Sequence, residues 1–380
     1  MSAEAISIGS NKSGAATAWL AVPAAGSGPG LLVVEEDAAA RALAELFAAE
    51  GYVALGLPRA PSADSAGAAL AALRERGECT GKLAVLGCGP GAGAALAMAA
   101  AGGVEAVIGY DPPADDGNLD FAARAPCPLM LHFAGDGPAV ASGWLERLKS
   151  QLAGRAEVAL HVYPAVTPGF EQRRGAGAER AAAGLAHSRT IALLRRVLGP
   201  QYDLESLWEA HTRYEFETRD VAATMATMIA EPYVNHIPVM TGGVGQAELA
   251  RFYANHFIPK CPADFTIVPI SRTVGADRIV DEMLTTFTHD VEIDWMLPGV
   301  PPTGRRVEIV VVAIVGFRGD KLWHEHIYWD QASVLVQIGL LDPAGLPVAG
   351  AETARKVVDE ALPSNTLMRR WAESAPAAER

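Results

Sequence analysis

The stretch KLAVLGCGPGAGAALAMAAAGG (82–103) decides how the first half of the chain is read. An unbroken apolar run ending at Cys88 meets glycines at 87, 89 and 91 and passes directly into an Ala-rich, helix-forming segment. Strands without polar alternation belong to sheets covered on both faces. A strand that turns through such glycines into a helix has the form of a nucleophile elbow, where Gly-x-nucleophile-x-Gly lifts one side chain above the sheet. The glycines tolerate the strained turn and the close approach of helix to strand. At the apex, however, stands Gly89, which has no side chain. Its neighbour Cys88 falls where side chains point back into the fold.

Working outward, apolar runs recur at GLLVVEE (30–36), YVALGLP (52–58), EAVIGY (105–110), PLMLHFA (128–134) and VALHVYP (158–164), separated by helix-length segments. This alternation predicts an α/β domain over 1–200 with a doubly wound, mostly parallel sheet. A last helix, 174–198, should stop at Gly199-Pro200. On its strand order and spacing, its strand-end Glu36, the elbow, PCPLMLHFAGDGPAV (126–140) and YPAVTPGF (163–170), the region 15–198 resembles the dienelactone hydrolase family. The resemblance implies an α/β-hydrolase fold and a catalytic triad at three positions, here Gly89 for the nucleophile, Gly137 for the acid and Pro168 for the histidine. Asp136 lies one residue from the acid position. A triad acts as a unit, so the expectation is a hydrolase fold that cannot hydrolyse.

The second half is patterned differently. Helical segments (203–228 and 245–257) precede long strand-like ones: ADFTIVPISRTVG, RIVDEMLTTFTHDVEIDW, RRVEIVVVAIVGF and KLWHEHIYWDQ. Helices first and antiparallel strands after predict an α+β cone, a curved sheet under covering helices, over 201–345. A tail with one helix should follow at 346–380. Period-two alternation places Leu322, His324, His326, Tyr328 and Asp330 on one face of the last strand. Pairing through a Gly319-Asp320 turn sets them beside Val315, Ala313, Val311 and Ile309. The order Thr303-Gly304, Leu322, Glu325-His326, Asp330, Gln337-x-Gly339, following Trp295-Met-Leu-Pro298-Gly299, resembles SnoaL-type polyketide cyclases of the ketosteroid-isomerase-like superfamily. That resemblance implies Asp330 as catalytic acid/base, with His326 assisting. Tyr328, His324, His236, Asn235, His211 and Trp295 are the remaining candidates for the substrate cavity. His324 and His326 share a strand face as metal ligands can, but no third ligand is evident, so neither a metal nor a cofactor is expected.

Of the 380 residues half are apolar and a fifth charged, and the net charge is -13. This composition is that of a globular chain and argues against nucleic acid or an anionic membrane as partner. The start of the chain has no charged-then-apolar leader pattern, and the four cysteines (Cys79, Cys88, Cys127, Cys261) form no metal-binding spacing. A cytoplasmic protein is expected, paired as a homodimer through its cone domains. The expected activity is proton transfer on an apolar, carbonyl-containing small molecule: isomerisation, cyclisation, hydration or lactone opening. Two alternatives stand beside it, a non-catalytic binding or assembly protein and a hydrolase using unconventional residues.

Overall fold

The computed structural model describes residues 2–8, 16–35, 37–58, 63–172 and 177–374. The chain divides into two compact units, Met1–Tyr202 and Asp203–Arg380. Among the described residues no helix is long and apolar enough to cross a membrane.

The first unit is built on an eight-stranded sheet: β1 (Glu4–Ile8), β2 (Ala16–Ala21), β3 (Gly28–Val34), β4 (Val53–Leu57), β5 (Cys79–Cys88), β6 (Ala106–Tyr110), β7 (Leu129–Ala134) and β8 (Val158–Tyr163). Their spatial order is β1-β2-β4-β3-β5-β6-β7-β8. Strands β3 to β8 are parallel, and β1 and β2 add an antiparallel edge. Six of these strands are the apolar runs of the sequence. Residues 31–34, 53–57 and 83–88 are buried without interruption, as helices on both faces require. The last helix, Ala178–Leu198, ends where Gly199 takes a positive φ of 84°.

The second unit carries a six-stranded sheet: β9 (Met228–His236), β10 (Thr241–Val244), β11 (Thr266–Val274), β12 (Arg278–Thr288), β13 (Arg306–Arg318) and β14 (Lys321–Trp329), in the order β10-β9-β14-β13-β12-β11. All pairs are antiparallel except β14 with β9. Strict alternation buries Ile279, Asp281, Met283, Thr285 and Phe287 on β12, and Val307, Ile309, Val311, Ala313 and Val315 on β13. The helices lie over that face; Trp208 Nε1 donates to Asp281 Oδ2 at 2.8 Å and ties one of them to the sheet.

Two expectations are corrected here. The segment 203–228 is not one helix: Leu204–Phe216 ends, Arg219 adopts a φ of 54°, and Asp220 caps a second helix, Val221–Ala226, by accepting from Ala223 N. A residue with a positive φ cannot continue a right-handed helix, and an aspartate just after it starts a new one. In the tail, the helix Glu352–Val358 is bound to β13 by paired hydrogen bonds of 2.9 Å between Arg355 and Glu308, and Ser333 Oγ donates to Gly350 O.

The second correction concerns register. The hairpin through Gly319 and Asp320 starts as expected, with Arg318 opposite Lys321 and Phe317 opposite Leu322, but Gly316 then faces His324. Trp323 is an extra residue, a β-bulge. Because strand side chains alternate with period two, one inserted residue turns every later side chain to the other face. Beyond the bulge Val315 faces Glu325, Ala313 faces Ile327 and Val311 faces Trp329. Gly316 is needed for this: a Cβ there would overlap the His324 ring and Trp323 Nε1.

Candidate functional site

The bulge decides which polar groups face the interior of the second unit. A pocket lies between the helices and the concave sheet face, and Glu325 and Ile327 line it from β14. Its apolar walls include Phe216, Phe257, Met283, Val311 and Ala313. A wider outer groove shares Trp208, Thr212, Phe216, Phe265, Ile267 and Met283 with it, which puts the entrance between the helix Leu204–Phe216 and β11.

Polar groups gather at one place on this wall. His211 and Glu215 are four residues apart on one helix and therefore on one side of it. Glu325 reaches them from β14. His211 Nε2 lies 3.1 Å from Glu215 Oε1 and 3.2 Å from Glu325 Oε1. The three residues are 0 %, 3 % and 3 % exposed. Both carboxylate residues line the pocket, and His211 sits behind them. Burial works against a charge on His211, but the two carboxylates outweigh it and raise its pKa to about 10.

His236, on β9, has a different setting. Its Nδ1 donates to Thr241 O at 3.1 Å, which leaves Nε2 as the acceptor. Burial lowers its pKa to about 4, so it is a neutral imidazole packed among Phe252, Phe257 and Trp295. A carboxylate pair and a neutral imidazole in an otherwise apolar pocket are chemically able to accept and return a proton.

Of the residues expected from the sequence, His236 and Trp295 line the pocket and His211 supports it. The others lie elsewhere. Asp330 is exposed and caps the helix Gln331–Gln337, accepting from Ser333 N at 3.2 Å. His324 and His326 pair with Gly316 and Ile314 and so share the convex face with Asn235 and Tyr233; Tyr328 is 39 % exposed. Asp330 and His326 are thus removed from the pocket by the same inserted residue. Several fixed points of the sequence pattern prove to be frame. Thr303 and Gly304 donate their N–H groups to His289 O, Gln337 brackets the backbone of Glu308, and a Cβ on Gly339 would overlap Arg305. Glu215, Glu325 and Tyr253, all lining the pocket, were missed as site residues. The signal for Glu215 was its i, i+4 spacing from His211.

In the first unit the elbow has a glycine at its apex. Gly89 has φ 50° and ψ −123°. Side chains at Gly87 and Gly91 would overlap Gly91 O and Val34 O, whereas a Cβ on Gly89 meets nothing within 4 Å. The next residue, Pro90, has no N–H to offer an oxyanion, although that amide normally forms half of the oxyanion hole. Gly137 is buried, and a Cβ on it would stand 3.3 Å from Asp111 Oδ1. Asp136 and Pro168 are exposed. Cys88 is buried beside Glu35 and Glu171, and desolvation together with those carboxylates pushes its thiol well up, away from a thiolate. Glu36, expected at this strand end, lies outside the described residues; Glu35 is the buried glutamate there. His132 is held by Tyr163 Oη at 2.8 Å and Thr190 Oγ1 at 3.1 Å, a structural use.

Comparison with known proteins places both halves. Residues 58–198 match the model of the dienelactone hydrolase family, and residues 208–325 match that of the SnoaL-like domain. The chain therefore carries a segment similar to the dienelactone hydrolase family followed by one similar to the SnoaL-like domain. A protein of Azospirillum brasilense named "Putative carboxymethylenebutenolidase" is 28% identical over 228 residues, 51% of this chain and 99% of that one. Among solved structures, dienelactone hydrolase from Anabaena variabilis is 19% identical, covers 52% of this chain and 98% of its own, and has a TM-score of 0.43. A "putative polyketide cyclase" from Acidithiobacillus ferrooxidans is 18% identical, with 37% and 97% covered and a TM-score of 0.31.

Proposed function

We propose that this protein is a small-molecule enzyme whose chemistry takes place in the pocket of the second unit, and that the first unit is a hydrolase fold without hydrolase activity. The observation that carries the reading is the buried Glu215–His211–Glu325 group at the wall of an apolar pocket. The substrate is an apolar molecule with a carbonyl group. A carboxylate takes the proton from the carbon next to that carbonyl, and the acid so formed returns it to another carbon of the enolate, an isomerisation; where the molecule carries a second carbonyl, the enolate carbon can instead attack it, closing a ring as the carbonyl oxygen takes the proton. His211 is a positioning residue that holds the two carboxylates together. The apolar walls exclude water and strengthen each electrostatic contact with the reacting atoms. Catalysis by Asp330, the expectation from sequence, is withdrawn because its carboxylate is exposed and engaged in a helix cap.

The test needs no natural substrate. In D2O the protein should accelerate deuterium incorporation next to the carbonyl of 2-tetralone, followed by NMR. It should also bind 2-naphthol, which has the shape of the enol. Exchange no faster than buffer, with no 2-naphthol binding, sinks the reading.

A further inference from the structure

The proton-transfer reading leaves a charge problem at the pocket wall. Thr227 Oγ1 donates to Thr224 O at 2.6 Å, so its only proton is used. Toward His211 Nδ1, also at 2.6 Å, it can only accept. Nδ1 therefore carries the ring proton, and Nε2 is the nitrogen between Glu215 Oε1 and Glu325 Oε1. Even with a second proton on Nε2, one positive charge faces two buried carboxylates, and the direction of that N–H meets neither oxygen. Nε2 and Glu325 Oε1 both lack a hydrogen-bond partner although they are buried. Unbalanced charge of this kind is costly away from water.

We infer that His211, Glu215 and Glu325 bind a divalent transition-metal cation whose open coordination positions face the pocket. The ligand atoms already lie within 4.8 Å of one another. Two ligand atoms about 2.1 Å from a common ion are about 3.0 Å apart at a right angle and about 3.4 Å apart at a tetrahedral angle. The observed 3.1 and 3.2 Å fall between these limits. One neutral imidazole and two carboxylates cancel the charge of a divalent ion. The Nδ1–H bond to Thr227 is the outer contact that orients a metal-binding histidine. Imidazole with carboxylates suits Zn²⁺, Mn²⁺ or Fe²⁺. The histidine pair that the sequence offered, His324 and His326, lies on the other face, where the charges of Arg278 and Arg318 act against a cation. The site deepens, and rests on, the reading of the pocket as the reaction site: the ion would draw a substrate carbonyl oxygen to an open position and polarise it.

The test uses the full-length protein, stripped with EDTA and dialysed. Zn²⁺ titrated by calorimetry should bind once per chain, and Co²⁺ should develop visible absorption at the same site. Glu325→Gln and Glu215→Gln are close in shape to the native residues and should weaken Zn²⁺ binding by about 100-fold or more. Thr227→Val should weaken it roughly 10- to 100-fold, and His326→Ala should leave it unchanged. Thermal melts report whether each variant is folded. Single-site binding lost in the glutamine variants supports the inference. Absence of such binding, its survival in Glu325→Gln, or its loss in His326→Ala overturns it. Binding of 2-naphthol is measured on the stripped protein as well, so the cation can be refuted while the pocket stands.

Discussion

Replacing Glu325 by Gln and, separately, Asp330 by Asn sets the concave face of β14 against its exposed end. Glu325 is 3 % exposed and lines the pocket; Asp330 lies five residues further on, exposed, with Oδ1 3.2 Å from Ser333 N. A positioned acid/base group contributes roughly 100- to 10,000-fold to a rate, which is about 3 to 5.5 kcal/mol of barrier. Glu325→Gln keeps the volume and removes the basic oxygen, so deuterium exchange into 2-tetralone should fall by that factor while 2-naphthol still binds. Asparagine caps a helix about as well as aspartate, so Asp330→Asn should change folding stability by only about a few tenths of a kcal/mol and leave exchange within about twofold. The assay is exchange rate against protein concentration for both variants, with a denaturation curve for each. Full exchange in Glu325→Gln, or its loss in a folded Asp330→Asn, refutes the assignment of the concave face.

Other consequences can be measured in the same preparation. Burial, reinforced by the charges of Glu35 and Asp111, raises the Glu171 carboxyl from 4.5 to about 7. The protonated form is the one favoured in the fold, so this contribution is fully present below pH 4.5 and is lost as pH rises through 7. At about 1.4 kcal/mol per pH unit, Glu171→Gln should stabilise the first unit by up to about 3 kcal/mol at pH 8 and by nothing near pH 4. Urea curves at both pH values decide it, and an equal effect at both contradicts the burial account. Gly89→Ser has room for its side chain but must adopt φ 50°, which costs about 1–3 kcal/mol. It should fold and still not cleave p-nitrophenyl butyrate, because Pro90 offers no amide and Pro168 no base; a gain of esterase activity would show the elbow to be competent. Gly316→Ala places a Cβ against His324 and Trp323 and should destabilise the second unit by about 1–3 kcal/mol in a thermal melt. An unchanged melting temperature counts against the bulge.

The sequence by itself determined the two architectures and the bare elbow. Short apolar runs separated by helix-length segments mark doubly covered strands, and Gly89 offers no attacking atom in any conformation. It also determined the alternation along β12 and along β13 as far as Val315, where burial follows period two. Only the tertiary structure decided which face of β14 is concave. Alternation assumes an unbroken ladder, and nothing in KLWHEH announces that Trp323 is the extra residue; that is settled by its packing over Gly316. One residue exchanged Asp330, His326 and Tyr328 for Glu325 and Ile327 at the pocket. Glu215 and Glu325 are 110 positions apart in the chain, and the bond geometry around His211 that joins them exists only once helix and sheet are packed.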